Sequence, residues 1–120
     1  MPKLNKDGTI KITEDNIENM TVLAFEIRGF LVLRTHLKSQ YRPIHPGMSD
    51  LICIKNDYHV FVECKRPGWK PSLEPRKTEL AQMEFARQVR AHGGHYCLIR
   101  NEDELYTDLG ILDTLASMRR

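Results

Sequence analysis

The amino-acid sequence predicts an α/β fold: a central mixed four-stranded sheet flanked by helices, with a further helix at the C-terminus. Three observations carry this. Two apolar runs, Asp50-Leu-Ile-Cys-Ile-Lys55 and Tyr58-His-Val-Phe-Val-Glu-Cys-Lys65, are separated only by Asn56-Asp57, the signature of a hairpin. Stretches with helical spacing flank that hairpin on both sides. A short apolar run, Tyr96-Cys-Leu-Ile-Arg100, follows the second of them across Gly93-Gly94, and a last helical stretch closes the chain. The element order is therefore α-β-β-β-α-β-α. With 120 residues the chain is the size of one domain with one core, taken here as residues 1–120.

Residues 1–12 carry no periodic pattern and read as a loose arm. Thr13 is an N-cap followed by Glu14 and Asp15, acids that suit a helix's first turn. Ile17, Met20, Ala24 and Ile27 then recur at helical spacing, and Gly29 ends the helix. Phe30-Leu-Val-Leu-Arg34 reads as a buried strand, and 36–49 as a polar loop broken by Pro43, Pro46 and Gly47. Residues 66–75 form a stiff loop with three prolines, one glycine and the chain's single tryptophan, Trp69. Trp69 either packs down on the sheet or offers its ring to a base. Arg76 to His92 is a helix, and Asn101 caps the final one with Glu104 three residues on, close to a capping box. Leu105, Leu109, Leu112 and Leu115 form its apolar stripe.

Composition narrows the classes. Apolar residues at 41% and charged residues at 28% describe a soluble globular domain. No apolar run approaches the ~18 residues a membrane helix needs, and the N-terminus lacks a secretory core segment. The cysteines, Cys53, Cys64 and Cys97, lie in apolar stretches and read as reduced core residues of a cytoplasmic protein. A net charge of +2 names no partner by itself. Its distribution says more: 65–77 holds Lys65, Arg66, Lys70, Arg76 and Lys77 against Glu74 alone, whereas 101–113 holds five acids and no base. The basic segment sits where a polyanion would lie against the end of the hairpin.

The chemistry concentrates in the hairpin. Folded back about Asn56-Asp57, Lys55 faces Tyr58, Cys53 faces Val60 and Asp50 faces Glu63. Opposed side chains in an antiparallel pair stand about 4.5–5.5 Å apart, so two carboxylates are brought together between Ile and Val. A divalent cation such as Mg²⁺ answers that repulsion. Lys65 shares the Glu63 face, about 7 Å further along the strand. The competing reading is structural: Asp50 caps the turn after Gly47, and Glu63 and Lys65 are an exposed polar stripe. Residue spacing alone leaves both open. Gln82 shares a helical face with Ala86 and Val89 and is either aimed at the sheet or a surface amide beside the core. His92, His95 and Cys97 lack zinc-ligand spacing, while His36, His45 and His59 are weak candidates for DNA contact.

From about residue 14 to 105 the sequence resembles the VRR-Nuc (virus-type replication-repair nuclease) family of the PD-(D/E)XK nuclease superfamily. The anchors are Gly29, Gly47-Met-Ser-Asp50, Glu63-Cys64-Lys65, Gln82, Gly94 and Tyr96-Cys-Leu-Ile-Arg100, in that order. Ser49 stands where the motif has proline, and the first helix lacks a clear glutamine beside its acid. The resemblance implies a restriction-endonuclease-like αβββαβ core and Mg²⁺- or Mn²⁺-dependent hydrolysis of DNA phosphodiesters. It implies Asp50 and Glu63 as metal ligands, joined by the Cys64 backbone carbonyl and an acid of the first helix, Glu18 ahead of Glu14. Lys65 would polarise the attacking water or stabilise developing charge, and Gln82 would orient water or ligands. Small standalone members look like homodimeric resolvases of branched DNA, often phage-encoded, which would act in a bacterial or phage-infected cell. A flap or single-strand nuclease, or a catalytically silent DNA-binding module, is the alternative. Arg34, Arg42, Arg66, Lys70, Arg76 and Lys77 are the candidate phosphate contacts. The last helix and the acidic C-terminal segment are candidates for the dimer surface, since DNA would avoid them.

Overall fold

Thr13 starts the first helix, α1 (Glu14–Ile27), through a capping box: its side chain accepts from the Asn16 N–H while Asn16 Oδ1 accepts from the Thr13 N–H. Asparagine thus fills the place usually held by Glu or Gln. Ile17, Glu18, Thr21, Ala24 and Phe25 form the buried face of α1. Ile27, expected on that face, is exposed, because at 100° per residue it falls beyond the stripe that Phe25 completes. The computed structural model describes residues 4–35 and 45–118. Within the N-terminal arm, Leu4 and Ile10 form a bridge around a turn in which Asp7 accepts from the Thr9 N–H and hydroxyl.

Four strands follow: β1 (Leu31–Arg34), β2 (Leu51–Lys55), β3 (Tyr58–Cys64) and, after helix α2 (Lys77–Ala91), β4 (His95–Ile99). Helix α3 (Glu102–Met118) closes the chain. The sheet order is β1-β2-β3-β4, with β1/β2 and β2/β3 antiparallel and β3/β4 parallel. The parallel pair needs a crossover, which α2 supplies. This is the mixed four-stranded sheet flanked by helices that the sequence predicts. The β2/β3 register runs Leu51↔Val62, Cys53↔Val60 and Lys55↔Tyr58, as the Asn56-Asp57 turn requires. Asn56 takes the left-handed conformation of that turn (φ 53°), which asparagine tolerates better than most residues.

Alternation along the strands makes two unlike faces. Leu51, Cys53, Val60, Val62, Cys64, Cys97 and Ile99 join Ile17, Ala24 and Phe25 of α1 and Leu105, Leu109 and Leu112 of α3 in one apolar core. On the opposite face α2 lays Phe85 against Phe61 and Tyr96, with ring centroids 5.6 and 6.4 Å apart. The β1 segment is not the buried strand its apolar residues suggest. It forms a sheet edge, so Leu31 and Leu33 are exposed and Val32 alone turns toward the core. No helix among the described residues is long and apolar enough to cross a membrane.

The segment before β2 is clamped to α2. Gly47 takes φ 74°, and a Cβ there would lie 2.1 Å from the Ala81 carbonyl oxygen and 2.6 Å from the Gln82 nitrogen. Both partners are helix backbone and cannot yield. Gly47→Ala is therefore expected to lower stability by on the order of 2–3 kcal/mol. A melting curve by circular dichroism checks this, and an unchanged midpoint would show that the loop does not need its close approach to α2.

Candidate metal centre

Where β2 begins and β3 ends, the paired ladder stops at Leu51↔Val62, and beyond it a side chain of one strand's approach binds the backbone of the other. Asp50 Oδ2 accepts the Cys64 N–H at 2.8 Å. The backbone of Asp50 is pinned from β1's side, where the Thr35 N–H donates to its carbonyl at 3.0 Å. Thr35 Oγ1 also donates to the Ser49 carbonyl at 2.5 Å, and Ser49, in the place of the motif's proline, is fully buried with its hydroxyl bonded to Leu51 O. Thr35 carries no signal in the sequence, because its role depends on a pairing fifteen residues away.

Asp50 and Glu63 are almost completely buried, at 8% and 3% exposure. Glu14, from the first turn of α1, is exposed at the rim of the same spot. One carboxylate oxygen from each of Glu14, Asp50 and Glu63 lies within 4.8 Å of the others. Lys65 Nζ stands 4.0 Å from Glu63 Oε1, with little of its side chain exposed. Glu63 Oε2 is buried and has no hydrogen-bond partner.

Among the described residues, three carboxylates face one ammonium at this corner. Burial first, and the Asp50 charge second, push the Glu63 carboxyl well above the usual range, and Lys65 only partly opposes them. Glu14 is raised by partial burial of its carboxyl and then by Asp50. All-oxygen donors of this kind suit a hard divalent cation such as Mg²⁺ or Mn²⁺. The partnerless Glu63 oxygen is what such an ion would satisfy, so the residues fit the ion.

The two carboxylates and the lysine singled out in the hairpin are thus brought together. The first-helix acid is different. The sequence put Glu18 ahead of Glu14, but Glu14 joins the cluster and the buried Glu18 is bound to Arg34 Nη1. Arg34 also donates to Asn19 Oδ1 at 3.0 Å, so its guanidinium is held against α1. Cys64 points its thiol into the core, where burial pushes it well above the ordinary thiol range, so only its backbone faces the site. Gln82 is half-buried on α2, beside the docking point of Gly47 and on the same side as the buried Ala86. Arg66, Lys70, Arg76 and Lys77 are exposed along the loop that follows Lys65 and the start of α2. Arg42 and His36 lie outside the described residues. His92 Nδ1 lies 2.8 Å from the Gln88 carbonyl, at the C-terminal end of α2, while His59 is exposed and His45 packs on Phe85.

No family model matches the chain, and no curated protein matches it.

The charge imbalance has a measurable consequence. A carboxyl raised in the folded state binds a proton that the unfolded chain has already lost. Metal-free stability should therefore fall as pH rises above the ordinary glutamate range, from about pH 5 upward. Glu63→Gln is expected to raise the melting temperature in EDTA at about pH 8 and to flatten that slope. It should also reduce the stabilisation by Mg²⁺, which for a single site reaches about 2.7 kcal/mol at a hundredfold excess over Kd. A variant that melts below the wild type in EDTA, yet keeps the full Mg²⁺ shift, would remove Glu63 from the centre.

Proposed function

We propose that this chain is a metal-dependent, structure-selective DNA endonuclease of the VRR-Nuc type, acting on branched DNA as a homodimer. The observation that carries the reading is the meeting of Glu14, Asp50 and Glu63 within 4.8 Å beside Lys65, with a buried Glu63 oxygen left without a partner. A structural polar stripe would be exposed and fully paired, whereas Glu63 is buried and its Oε2 has no hydrogen-bond partner.

Bound there, Mg²⁺ or Mn²⁺ would supply Lewis acidity and charge neutralisation for phosphodiester hydrolysis. The carboxylates of Asp50 and Glu63 would hold the ion at the end of the sheet, with Glu14 joining them from α1. Lys65 provides a fixed positive charge where negative charge develops on the phosphate. Arg66, Lys70, Arg76 and Lys77, exposed beside the site, give the strand a basic track leading from it. On this reading Gln82, half-buried on α2, would orient water or ligands at the site. A single small domain has one such centre, so paired cuts in a junction require two copies related by a two-fold axis.

The test is cleavage of a labelled four-way junction, a flap, a single strand and a linear duplex in Mg²⁺, Mn²⁺ or EDTA. Junction cutting that needs a divalent ion is expected, and Asp50→Asn and Lys65→Ala should each lower its rate at least ~100-fold. Variants as active as the wild type would sink the site assignment. Equal cutting of all four substrates would sink the structure selectivity, and DNA binding without cutting would leave a silent binding module.

A further inference from the structure

The sole tryptophan of the chain lies against the lysine of the centre. Lys65 Nζ sits 5.2 Å from the centre of the Trp69 ring, within cation–π range. The intervening residues fold back to make this possible. Pro67 and Gly68 occupy the central positions of a turn closed by the Trp69 N–H donating to Arg66 O at 3.1 Å, and Gly68 takes φ 82°. Proline followed by a left-handed glycine is the pattern of a type II turn. The turn brings the indole to a lysine only four residues earlier.

Both sides of the loop are then tied to helices. Arg100 Nη1 donates to the Trp69 carbonyl at 3.0 Å. Arg100 is itself held by Glu104 in a two-pronged pair, Nε to Oε1 at 2.9 Å and Nη2 to Oε2 at 2.8 Å. Glu104 is fixed in turn by its N–H, which donates to Asn101 Oδ1 at 2.9 Å. Further along, Ser72 donates from its N–H and hydroxyl to Glu79 of α2. Lys65 also has its backbone fixed, its N–H donating to Ile99 O at 2.9 Å, one residue before Arg100.

We propose that Trp69 is a positioning residue: its ring, carried on a backbone that Arg100 and Glu104 hold, keeps the Lys65 ammonium beside the carboxylate cluster. The inference rests on the nuclease reading for its kinetic consequence, though not for the contact itself. A lysine has a flexible four-carbon stem and a point charge, so three nearby carboxylates would pull it into the place of the cation. The indole face supplies a second attraction from the other side and keeps the ammonium at the edge of the cluster. The Arg100–Glu104 pair fixes the backbone from which the ring extends. Trp69 thereby acts on the reaction through Lys65.

The experiment compares Trp69→Phe, Trp69→Leu and Trp69→Ala in junction cleavage. Loss of a cation–π contact corresponds to roughly 3- to 30-fold in rate. The expected order of kcat is wild type, then Phe, then Leu and Ala together, with KM for DNA and the Mg²⁺-induced melting shift unchanged. Phe and Leu variants of equal kcat would overturn the proposal, since bulk rather than the ring face would then matter. So would a rise in KM at constant kcat, which would put the indole on the DNA. A separate arm needs no activity: Lys65→Ala is expected to shift the fluorescence emission of Trp69, and an unchanged spectrum would refute the contact. If the wild type cuts no DNA while that emission shift is present, the nuclease reading fails and the Lys65–Trp69 contact stands.

Discussion

The hydrogen bond from the Cys64 N–H to the Asp50 carboxylate is the constraint on which the rest of the site depends. It replaces the next rung of the β2/β3 ladder with a side chain, and a charged acceptor makes it about twice as strong as a neutral one. Alternation does the remainder. With Cys64 turned into the core, Glu63 and Lys65 must point to the opposite face, next to Asp50. Thr35 holds the Asp50 backbone from one side, and Gly47 holds the same segment against α2 from the other. The carboxylate pair is thus fixed by backbone geometry.

The two faces of the sheet divide stability from chemistry. The face under α1 and α3 is closed by Phe25, Leu51, Val60, Val62, Ile99, Leu105 and Leu109, all fully buried. Burying such side chains contributes about 1.5–3 kcal/mol each, before conformational entropy is set against it. The face under α2 holds the buried Glu63, a group that destabilises the fold unless protonated or bound to a cation. A folded chain tolerates that corner because the apolar core lies on the other side. Among the described residues Glu18 is the buried acid of α1, and Arg34 pairs with it there. Glu63 differs: it is buried beside Asp50, Lys65 Nζ stands 4.0 Å from its Oε1, and its Oε2 has no hydrogen-bond partner.

Much of this was legible in the sequence, for reasons that can be named. The Asn56-Asp57 turn sets the register, and the register dictates that Asp50 and Glu63 meet. Capping signals at Thr13 and Asn101, and the glycines at 29 and 93, bound three helices closely. The choice between Glu14 and Glu18 was not legible. The two lie one helical turn apart, about 6 Å along the axis, and on nearly the same face. What separates them is Arg34, which claims Glu18 across sixteen residues of chain. Likewise the apolar run 30–34 reads as a core strand, because its place at the end of the strand order is a property of the whole sheet. Trp69 was ambiguous for a similar reason: its partner is the lysine four residues back, reached only through the Pro67-Gly68 turn.

The acidic stretch at the start of α3 has a local use that its charge alone conceals. Glu102, Asp103 and Glu104 occupy the first turn, where the exposed N–H groups favour negative charge. Burial state separates the last of these from its neighbours: Glu102 and Asp103 are exposed, while Glu104 is half-buried under Arg100. Glu104 therefore adds little to the surface field and much to local order, since its pairing with Arg100 fixes the carbonyl of Trp69. Of the three acids, Glu104 thus anchors the basic loop that follows β3, through Arg100. In a chain with a net charge of only +2, placing one carboxylate inside a guanidinium fork is what lets a basic loop and an acidic helix share one corner of the sheet.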